Sequence, residues 1–267
     1  MTEGTARLSI NGPVAQIVFS NPDEGYMDRA MEEALLHAVE KVDEGPDVRV
    51  CVLSGGTPGA FIRHYDLKAL APQARSMRDR GMQFSMARPV REGVIHRALR
   101  RIGESRVIYI AALNGTAMGG GFELAIACDL RVVQDGPYEF GLPEVNMGIL
   151  PGAGGTQRLP FLVGGAKAMQ MALTGDTLSP AQMLESGLAT ACVPDAHAEA
   201  LTLGQRIAGK PPKALAHIKR LIRQTEGSTA EGFALERTLF ADLMVSQEAA
   251  HLLTQGAGGT RKITDEP

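Results

Sequence analysis

Three consecutive glycines at residues 119–121 stand just ahead of an acidic side chain, Glu123. Because glycine has no Cβ, a ligand can approach its backbone closely and accept hydrogen bonds from the N–H groups. A helix that begins here would add partial positive charge at the same place. This combination suits a carbonyl oxygen that becomes negatively charged during a reaction. The alternative for the glycines alone is a tight turn between a strand and a helix.

A second acidic residue, Glu144, follows Pro143 and lies among apolar residues, ahead of another glycine-rich stretch at 148–155. Proline biases the residue before it toward an extended conformation, which fixes the loop that carries Glu144. A carboxyl buried in such a place has a raised pKa. Two carboxyls in one apolar cleft can divide the roles of acid and base between them. Taken singly, either glutamate could instead be a solvated or helix-capping residue.

Other kinds of site are disfavoured by the residue pattern. The glycine spacing does not match the dinucleotide-binding pattern G-x-G-x-x-G, and there is no Walker motif. The histidines show no ligand spacing, so we predict no metal site. Cys51, Cys128 and Cys192 are far apart in apolar runs, which favours buried free thiols over disulfides. A net charge of −3 on 267 residues gives no reason to expect a nucleic-acid partner.

The elements that would position these residues alternate between strands and helices. Apolar, β-branched runs predict strands at residues 8–10, 14–19, 48–53, 107–113 and 130–133. Helical spacing predicts helices at residues 27–42, 122–128, 166–173, 179–186, 196–208, 211–224 and 229–253. The polar segment 66–102 predicts two helices around a mobile loop. This alternation indicates an α/β fold with mostly parallel strands and right-handed crossovers.

No targeting or membrane segment is apparent in the sequence. The first ten residues lack the apolar core of a signal peptide, and no apolar run approaches 18 residues. We therefore expect a cytoplasmic protein with no membrane partner.

Residues 107–156, which contain both glutamates, resemble the signature region of the crotonase (enoyl-CoA hydratase/isomerase) superfamily. Further blocks resemble the family in the same order along the chain: Asn21-Pro22, 50–55, 61–68, 173–176 and 187–189. The resemblance spans roughly residues 8–225. It implies an α/β fold of the crotonase type, a spiral of ββα units with a helical C-terminal trimerisation region. On this basis residues 1–195 form the core with the CoA and catalytic site, 196–255 a helical region and 256–267 a flexible tail.

The resemblance also implies a site. In the family, a CoA thioester carbonyl lies between two backbone N–H groups, which here match Gly120 and Tyr65. Glu123 and Glu144 match the two catalytic carboxylates of the hydratases. The residues expected to bind substrate are Arg63, His64, Asp66, Gly119, Gly121, Pro143 and Gly152. Residues 63–65 are bulky where small residues are usual in the family, so we expect a reshaped acyl pocket. His64 beside the oxyanion position is either catalytic or a packing residue of that pocket.

The activity implied is hydration of the 2,3-double bond of an unsaturated acyl-CoA, with no cofactor because coenzyme A is part of the substrate. The alternatives are isomerisation, thioester hydrolysis, hydration followed by retro-aldol cleavage, or a non-catalytic scaffold that binds CoA or RNA. The expected partners are the thioester and further copies of the chain, as a trimer or a dimer of trimers. Basic stretches at 75–101 and 210–223 either contact CoA or are solvated. Residues 251–256 depart from the family segment that covers the nucleotide.

Overall fold

A computed structural model of the protein describes residues 3–21, 24–224 and 229–265. Pro22, which belongs to one of the blocks above, lies outside these ranges, as do the last two residues of the expected tail. The strands within them are β1 (Thr5–Asn11), β2 (Val14–Ser20), β3 (Val50–Gly55), β4 (Ala60–Ile62), β5 (Ile108–Leu113), β6 (Thr116–Met118), β7 (Leu130–Gln134), β8 (Phe140–Gly141), β9 (Thr177–Leu178) and β10 (Ala191–Val193). The α-helices are α1 (Arg29–Glu44), α2 (Leu67–Asp79), α3 (Val94–Glu104), α4 (Gly120–Ala127), α5 (Gly155–Val163), α6 (Gly165–Thr174), α7 (Pro180–Glu185), α8 (Ala196–Ala208), α9 (Pro212–Gln224), α10 (Ala230–Met244) and α11 (Gln247–Ala257).

The strands form two sheets. The larger has the order β1-β2-β3-β5-β7-β10, in which β1 and β2 are antiparallel and all other neighbours are parallel. The smaller has the order β4-β6-β8-β9, with parallel pairing except between β8 and β9. The predicted α/β fold with mostly parallel strands is therefore confirmed.

From β3 to β8, successive strands alternate between the two sheets. β3, β5 and β7 belong to the larger sheet, and each is followed at once by a short strand of the smaller one, β4, β6 and β8. A helix then returns the chain to the larger sheet, which makes each turn a ββα unit. Glu123 lies in the first turn of α4, shortly after β6, and Glu144 lies just after β8. Because β6 and β8 are neighbouring strands, these two positions lie side by side.

Strand β5 and its neighbour β3 are buried on both faces. Every residue of β5 is buried, and so are residues 50–54 of β3, which explains their unbroken apolar runs. One face packs against α1, α3 and α4. The other face packs against α8, where Gly204 lies close enough that a Cβ would be 3.3 Å from Val50. The core thus fixes the strand ends from which the site is built.

The C-terminal region differs from the expected pattern. One helix over 229–253 is wrong, because α10 ends at Met244 and Ser246 caps a separate helix, α11. The Ser246 side chain accepts a hydrogen bond from the Ala249 N–H at 3.1 Å. Residues 256–265 also differ from the tail expected there, since Ala257 ends α11 and Ile263 is buried among residues of α2 and α11.

The three cysteines are free thiols but differ in burial. Cys51 and Cys128 are buried free thiols as expected, whereas Cys192 is only partly buried because it lies on the edge strand β10.

Among the described helices, none combines the length and the apolar character that crossing a bilayer requires.

Candidate active site

One cavity of about 590 Å³ collects most of the residues that the sequence indicated. Its wall contains both expected catalytic glutamates, Glu123 and Glu144, and both expected oxyanion donors, Gly120 and Tyr65. Three of the expected substrate-binding residues also line it, namely His64, Gly119 and Gly152. Four lie outside this wall, namely Arg63, Asp66, Gly121 and Pro143. Residues 236 sequence positions apart, Met27 and Ile263, both line this cavity, so only the folded chain forms the site.

The glycine turn presents one free backbone donor to the cavity. The Gly119 N–H donates to the Gly141 carbonyl oxygen at 3.0 Å, which joins the turn to β8. Gly119 has φ +51 and precedes α4, so the next residue, Gly120, is the first of that helix. The Gly120 N–H has no acceptor within the described part of the chain. It is therefore available to a ligand at the positive end of α4.

Gly121 serves packing. A Cβ on Gly121 would lie 2.1 Å from the carbonyl oxygen of Ile62, so only glycine lets α4 start this close to β4. A Cβ on Gly119 would lie 3.1 Å from the Glu144 Oε1 atom and would push that carboxyl aside. The glycines at 119 and 121 thus hold the surroundings of Gly120 in place.

The backbone of Tyr65 is held in a matching way. The Met27 N–H donates to the His64 carbonyl oxygen at 2.8 Å, and the Asp66 N–H donates to the Met27 carbonyl oxygen at 2.7 Å. In such a parallel bridge the residue between the two bonded groups directs its own N–H to the opposite side. The Tyr65 N–H accordingly finds no acceptor among residues 3–21, 24–224 and 229–265.

Glu123 is buried and firmly anchored. Its Oε1 atom accepts hydrogen bonds from the Ala153 and Gly155 N–H groups, each at 2.7 Å. Burial, followed by the nearby charge of Glu236, raises the pKa of Glu123 to about 8, although the two N–H donors oppose the shift. Its second oxygen receives no hydrogen bond from the described residues and is left for a ligand or water.

Glu144 is equally buried but lacks such support. It is the second residue of a short 3-10 helix, Pro143–Met147, in which Pro143 occupies the first position and sets the direction of the chain. The Glu144 Oε2 atom has no hydrogen-bond partner in the portion of the chain that the structure describes. Burial first, and the charge of Glu123 second, raise the pKa of Glu144 well above its usual value.

A third buried carboxyl, Glu236 of α10, was not identified from the sequence. It accepts hydrogen bonds from the Thr156 N–H at 2.8 Å, from the Thr156 hydroxyl and from the Gly154 N–H. Residues 153–156 therefore donate alternately to Glu123 and to Glu236 at the N-terminus of α5. Burial raises the pKa of Glu236 as well. An acidic residue within a helical pattern offers no sequence signal for this role.

The residues around Tyr65 serve different purposes. Arg63 donates from Nε to the Glu24 carbonyl oxygen at 2.7 Å, and Asp66 caps α2 by accepting from the Lys68 N–H at 2.8 Å. His64 does line the cavity and packs against Tyr26, with ring centroids 4.5 Å apart. Burial lowers the pKa of His64, so its ring is neutral near pH 7, and Nδ1 donates to the Tyr65 carbonyl oxygen at 2.8 Å. This environment favours a packing role for His64 over a catalytic one.

Two further cavity residues also escaped the sequence analysis, His96 and Glu32. His96 accepts from the Gly93 N–H through Nδ1 at 3.1 Å, so Nε2 carries the proton donated to the Gly152 carbonyl oxygen at 2.8 Å. It thereby positions the chain that leads to residues 153–156. Glu32, in the first turn of α1, lines the cavity as a buried carboxyl.

The basic stretches divide into structural and cavity residues. Lys219 is buried and donates to the Ile102 and Val107 carbonyl oxygens at 2.7 and 2.8 Å, and it forms an ion pair with Asp129 at 2.8 Å. These contacts hold α9 against the core, so Lys219 belongs neither to a solvated face nor to a CoA site. From the other stretch, Arg80 and Arg91 line the cavity.

Across the described residues, no group of three or more His, Cys, Asp or Glu side chains could hold a metal ion.

Comparisons with known proteins agree with this geometry. The family model described as enoyl-CoA hydratase/isomerase matches residues 9–256. A probable enoyl-CoA hydratase of Mycobacterium leprae is 34% identical over 83% of this chain and 82% of its own length. A probable enoyl-CoA hydratase of Bacillus subtilis is 30% identical over 91% of each chain. The crystal structure of an enoyl-CoA hydratase/isomerase from Mycobacterium paratuberculosis shares the fold, with a TM-score of 0.82 and 21% identity over 94% of this chain and 97% of that one.

The match covers the ββα spiral and most of the C-terminal helices, so it includes every residue that lines the cavity except Ile263. The expected crotonase-like fold is thereby confirmed. The chain belongs to the enoyl-CoA hydratase/isomerase family, within the crotonase superfamily, and is an enzyme of acyl-CoA chemistry.

Proposed function

We propose that the protein is an enoyl-CoA hydratase, which adds water across the 2,3-double bond of an acyl-CoA thioester. The observation that carries this proposal is the pair of buried carboxyls, Glu123 and Glu144, that face one cavity with opposite hydrogen-bond environments. Adding water needs both a base and an acid, and such a pair supplies both within one site.

The N–H donors support one division of roles between the two glutamates. Hydrogen bonds from the Ala153 and Gly155 N–H groups favour the ionised form of Glu123, whereas only the backbone N–H of Glu144 itself favours the ionised form of Glu144, whose Oε2 atom has no partner within the described chain. Glu123 therefore acts as the base that takes a proton from water, and the oxygen of that water bonds to C3. Glu144 donates its proton to C2. The water thus supplies hydroxyl to C3, and proton exchange between the two carboxyls and solvent restores the starting state.

The thioester oxygen becomes negatively charged as C3 is attacked. The free N–H groups of Gly120 and Tyr65 are the donors proposed to stabilise it, and loss of one such donor typically costs about 2.7–4 kcal/mol of transition-state stabilisation. Arg80, Arg91 and Arg237 line the same cavity and supply positive charge suited to the phosphates of coenzyme A.

The decisive test is product formation from crotonyl-CoA. Wild-type protein should remove the conjugated enoyl absorbance and yield 3-hydroxybutyryl-CoA, identified by mass spectrometry. Glu144→Gln, which keeps the shape but loses the acid, should be at least a hundredfold slower. Glu33→Gln is the matched control because Glu33 lies on the surface and pairs with Arg29. Tight binding of enoyl-CoA esters without any hydration would refute the proposal and favour another acyl-CoA reaction.

We also propose that the chain forms a homo-oligomer, a trimer or a dimer of trimers. Large apolar side chains are exposed on α5, α6 and α9, namely Phe161, Met169, Leu173, Ile218 and Leu221. Exposed apolar surface of this kind is typical of subunit interfaces. Light scattering on the eluted protein should give three or six times the 28.4 kDa chain mass. A monomeric mass at micromolar concentration would contradict the proposal.

A further inference from the structure

Glu32 is a buried carboxyl that the hydration chemistry above does not use. It lies in the first turn of α1, is 6% exposed and lines the same cavity as the two catalytic glutamates. Its oxygens accept no hydrogen bond, and no cation lies within ion-pair distance, anywhere in the part of the chain that the structure describes. The nearest basic residue along the helix, Arg29, is instead bonded to Glu33 at 2.7 Å.

A carboxyl placed in this way needs a reason, because buried polar groups in folded proteins almost always have a hydrogen-bond partner. The positive end of α1 favours an acidic side chain in its first turn. That effect does not require burial, because it acts on exposed acidic side chains as well. The helix cap is already provided by Asp28, which accepts from the Met31 N–H at 2.8 Å. Glu32 is therefore surplus to the needs of the helix.

Glu32 is one of several polar side chains in the wall of the cavity, which apolar side chains line as well. The Tyr65 side chain lines the cavity too, and the charge of Glu32 contributes to the raised pKa of its hydroxyl. Met27, Leu67, Leu70 and Val94 supply apolar surface around them. A polar side chain placed among apolar ones selects ligands by the position of a matching polar group.

We propose that Glu32 is a specificity-determining residue that accepts a hydrogen bond from a donor group on the acyl chain of the substrate. The substrate class is an enoyl-CoA whose acyl chain carries a hydroxyl or an ammonium group. This inference rests on the proposed function for the identity of the thioester, but not on the hydration step itself.

The experiment measures binding, so that it does not depend on turnover. Dissociation constants are determined by calorimetry for saturated acyl-CoA esters of four, six and eight carbons, each unsubstituted, with a terminal hydroxyl or with a terminal amine. Wild-type protein should bind one substituted ester about tenfold or more tightly than its unsubstituted match. Glu32→Leu, of similar volume, should remove this preference, and Glu33→Gln should retain it.

A further variant separates the two donor groups. The amide oxygen of Glu32→Gln still accepts a hydrogen bond from a hydroxyl but carries no charge, so it should keep a hydroxyl preference and lose an ammonium preference. Thermal unfolding of each variant checks that the fold is intact. If Glu32→Leu folds and keeps the preference, or if it weakens binding of all esters and of free coenzyme A equally, the inference is wrong. A preference for substituted esters without any hydration would refute only the proposed function.

Discussion

Glu123 and Glu144 are buried in the same cavity, yet their carboxyls are held in different ways. Residues 153–156 wrap around Glu123 and donate two N–H groups to it, whereas the turn after β8 presents Glu144 with its Oε2 atom unbonded within the described chain. Burial raises both pKa values; the Ala153 and Gly155 N–H groups oppose the rise for Glu123, and only its own backbone N–H opposes it for Glu144. Residue type and burial are the same for the two carboxyls, so the backbone donors around each are what distinguish the proposed base from the proposed acid.

The largest predicted effect is on the rate of hydration. Glu123→Gln and Glu144→Gln should each lower kcat for crotonyl-CoA hydration by about 10²–10⁴, since each removes one partner of a single proton-transfer step. The double variant should be little worse than the slower single variant, because groups that act as a unit lose their effect together. Rates from initial absorbance changes test this. Multiplicative losses in the double variant would mean that the two carboxyls act independently.

Stability should separate the two residues in a second way. Glu123→Ala leaves the Ala153 and Gly155 N–H groups buried without an acceptor, which should cost about 2–5 kcal/mol of unfolding free energy at pH 5. Glu144→Ala removes a carboxyl that has an unbonded oxygen, so its cost should be smaller by at least about 1 kcal/mol. Urea denaturation at fixed pH measures both. Equal losses would show that the N–H donors around Glu123 contribute little.

The raised pKa values also predict how stability changes with pH. The unfolded chain releases the protons of these glutamates near pH 4.5, while in the folded protein Glu123 keeps its proton up to about pH 8 and burial holds the pKa of Glu144 well above its usual value. The folded state therefore holds more protons between these values, so its stability is greatest below pH 4.5 and is lost as the pH rises toward 8.

Each fully titrating carboxyl contributes about 1.4 kcal/mol per pH unit to this slope. Unfolding free energies from pH 5 to 8 should fall less steeply for the Glu123→Gln/Glu144→Gln double variant than for wild type. Glu32 and Glu236 remain in both proteins, so the difference in slope isolates the catalytic pair. Identical slopes would contradict the raised pKa values.

The site residues that the sequence analysis identified have roles that depend on residues close to them in the sequence. Gly120 and Glu123 lie in one short turn, and Pro143 directly precedes Glu144, so local pattern and family resemblance reach them. Glu236 acts on residues 153–156 from a helix some 80 positions further along the chain, and only tertiary packing brings it there. The spiral of strands was likewise accessible, because unbroken apolar runs such as β5 mark strands buried on both faces.

At two further positions a local polar residue has a structural role that the sequence analysis did not identify. Asp66 lies in a block that resembles a binding segment, yet its position directly before α2 is that of a helix cap. Ser246 is a comparable signal that divides the expected last helix into α10 and α11. In both cases the short polar side chain satisfies backbone N–H groups, which is a structural requirement that a family resemblance does not reveal.

The smallest predicted effect concerns Glu236 of α10, which accepts hydrogen bonds from the Gly154 and Thr156 N–H groups in the segment that also donates to Glu123. Its charge contributes to the raised pKa of Glu123, so Glu236→Gln should lower that pKa. The base is then ionised at lower pH, and the rise of kcat/KM with pH should move down by up to about one unit. Glu231→Gln, an exposed change in the first turn of the same helix, should leave the profile in place. A variant that is slower at every pH, with the rise unmoved, would show that Glu236 only holds residues 154 and 156 and has no electrostatic effect on the base.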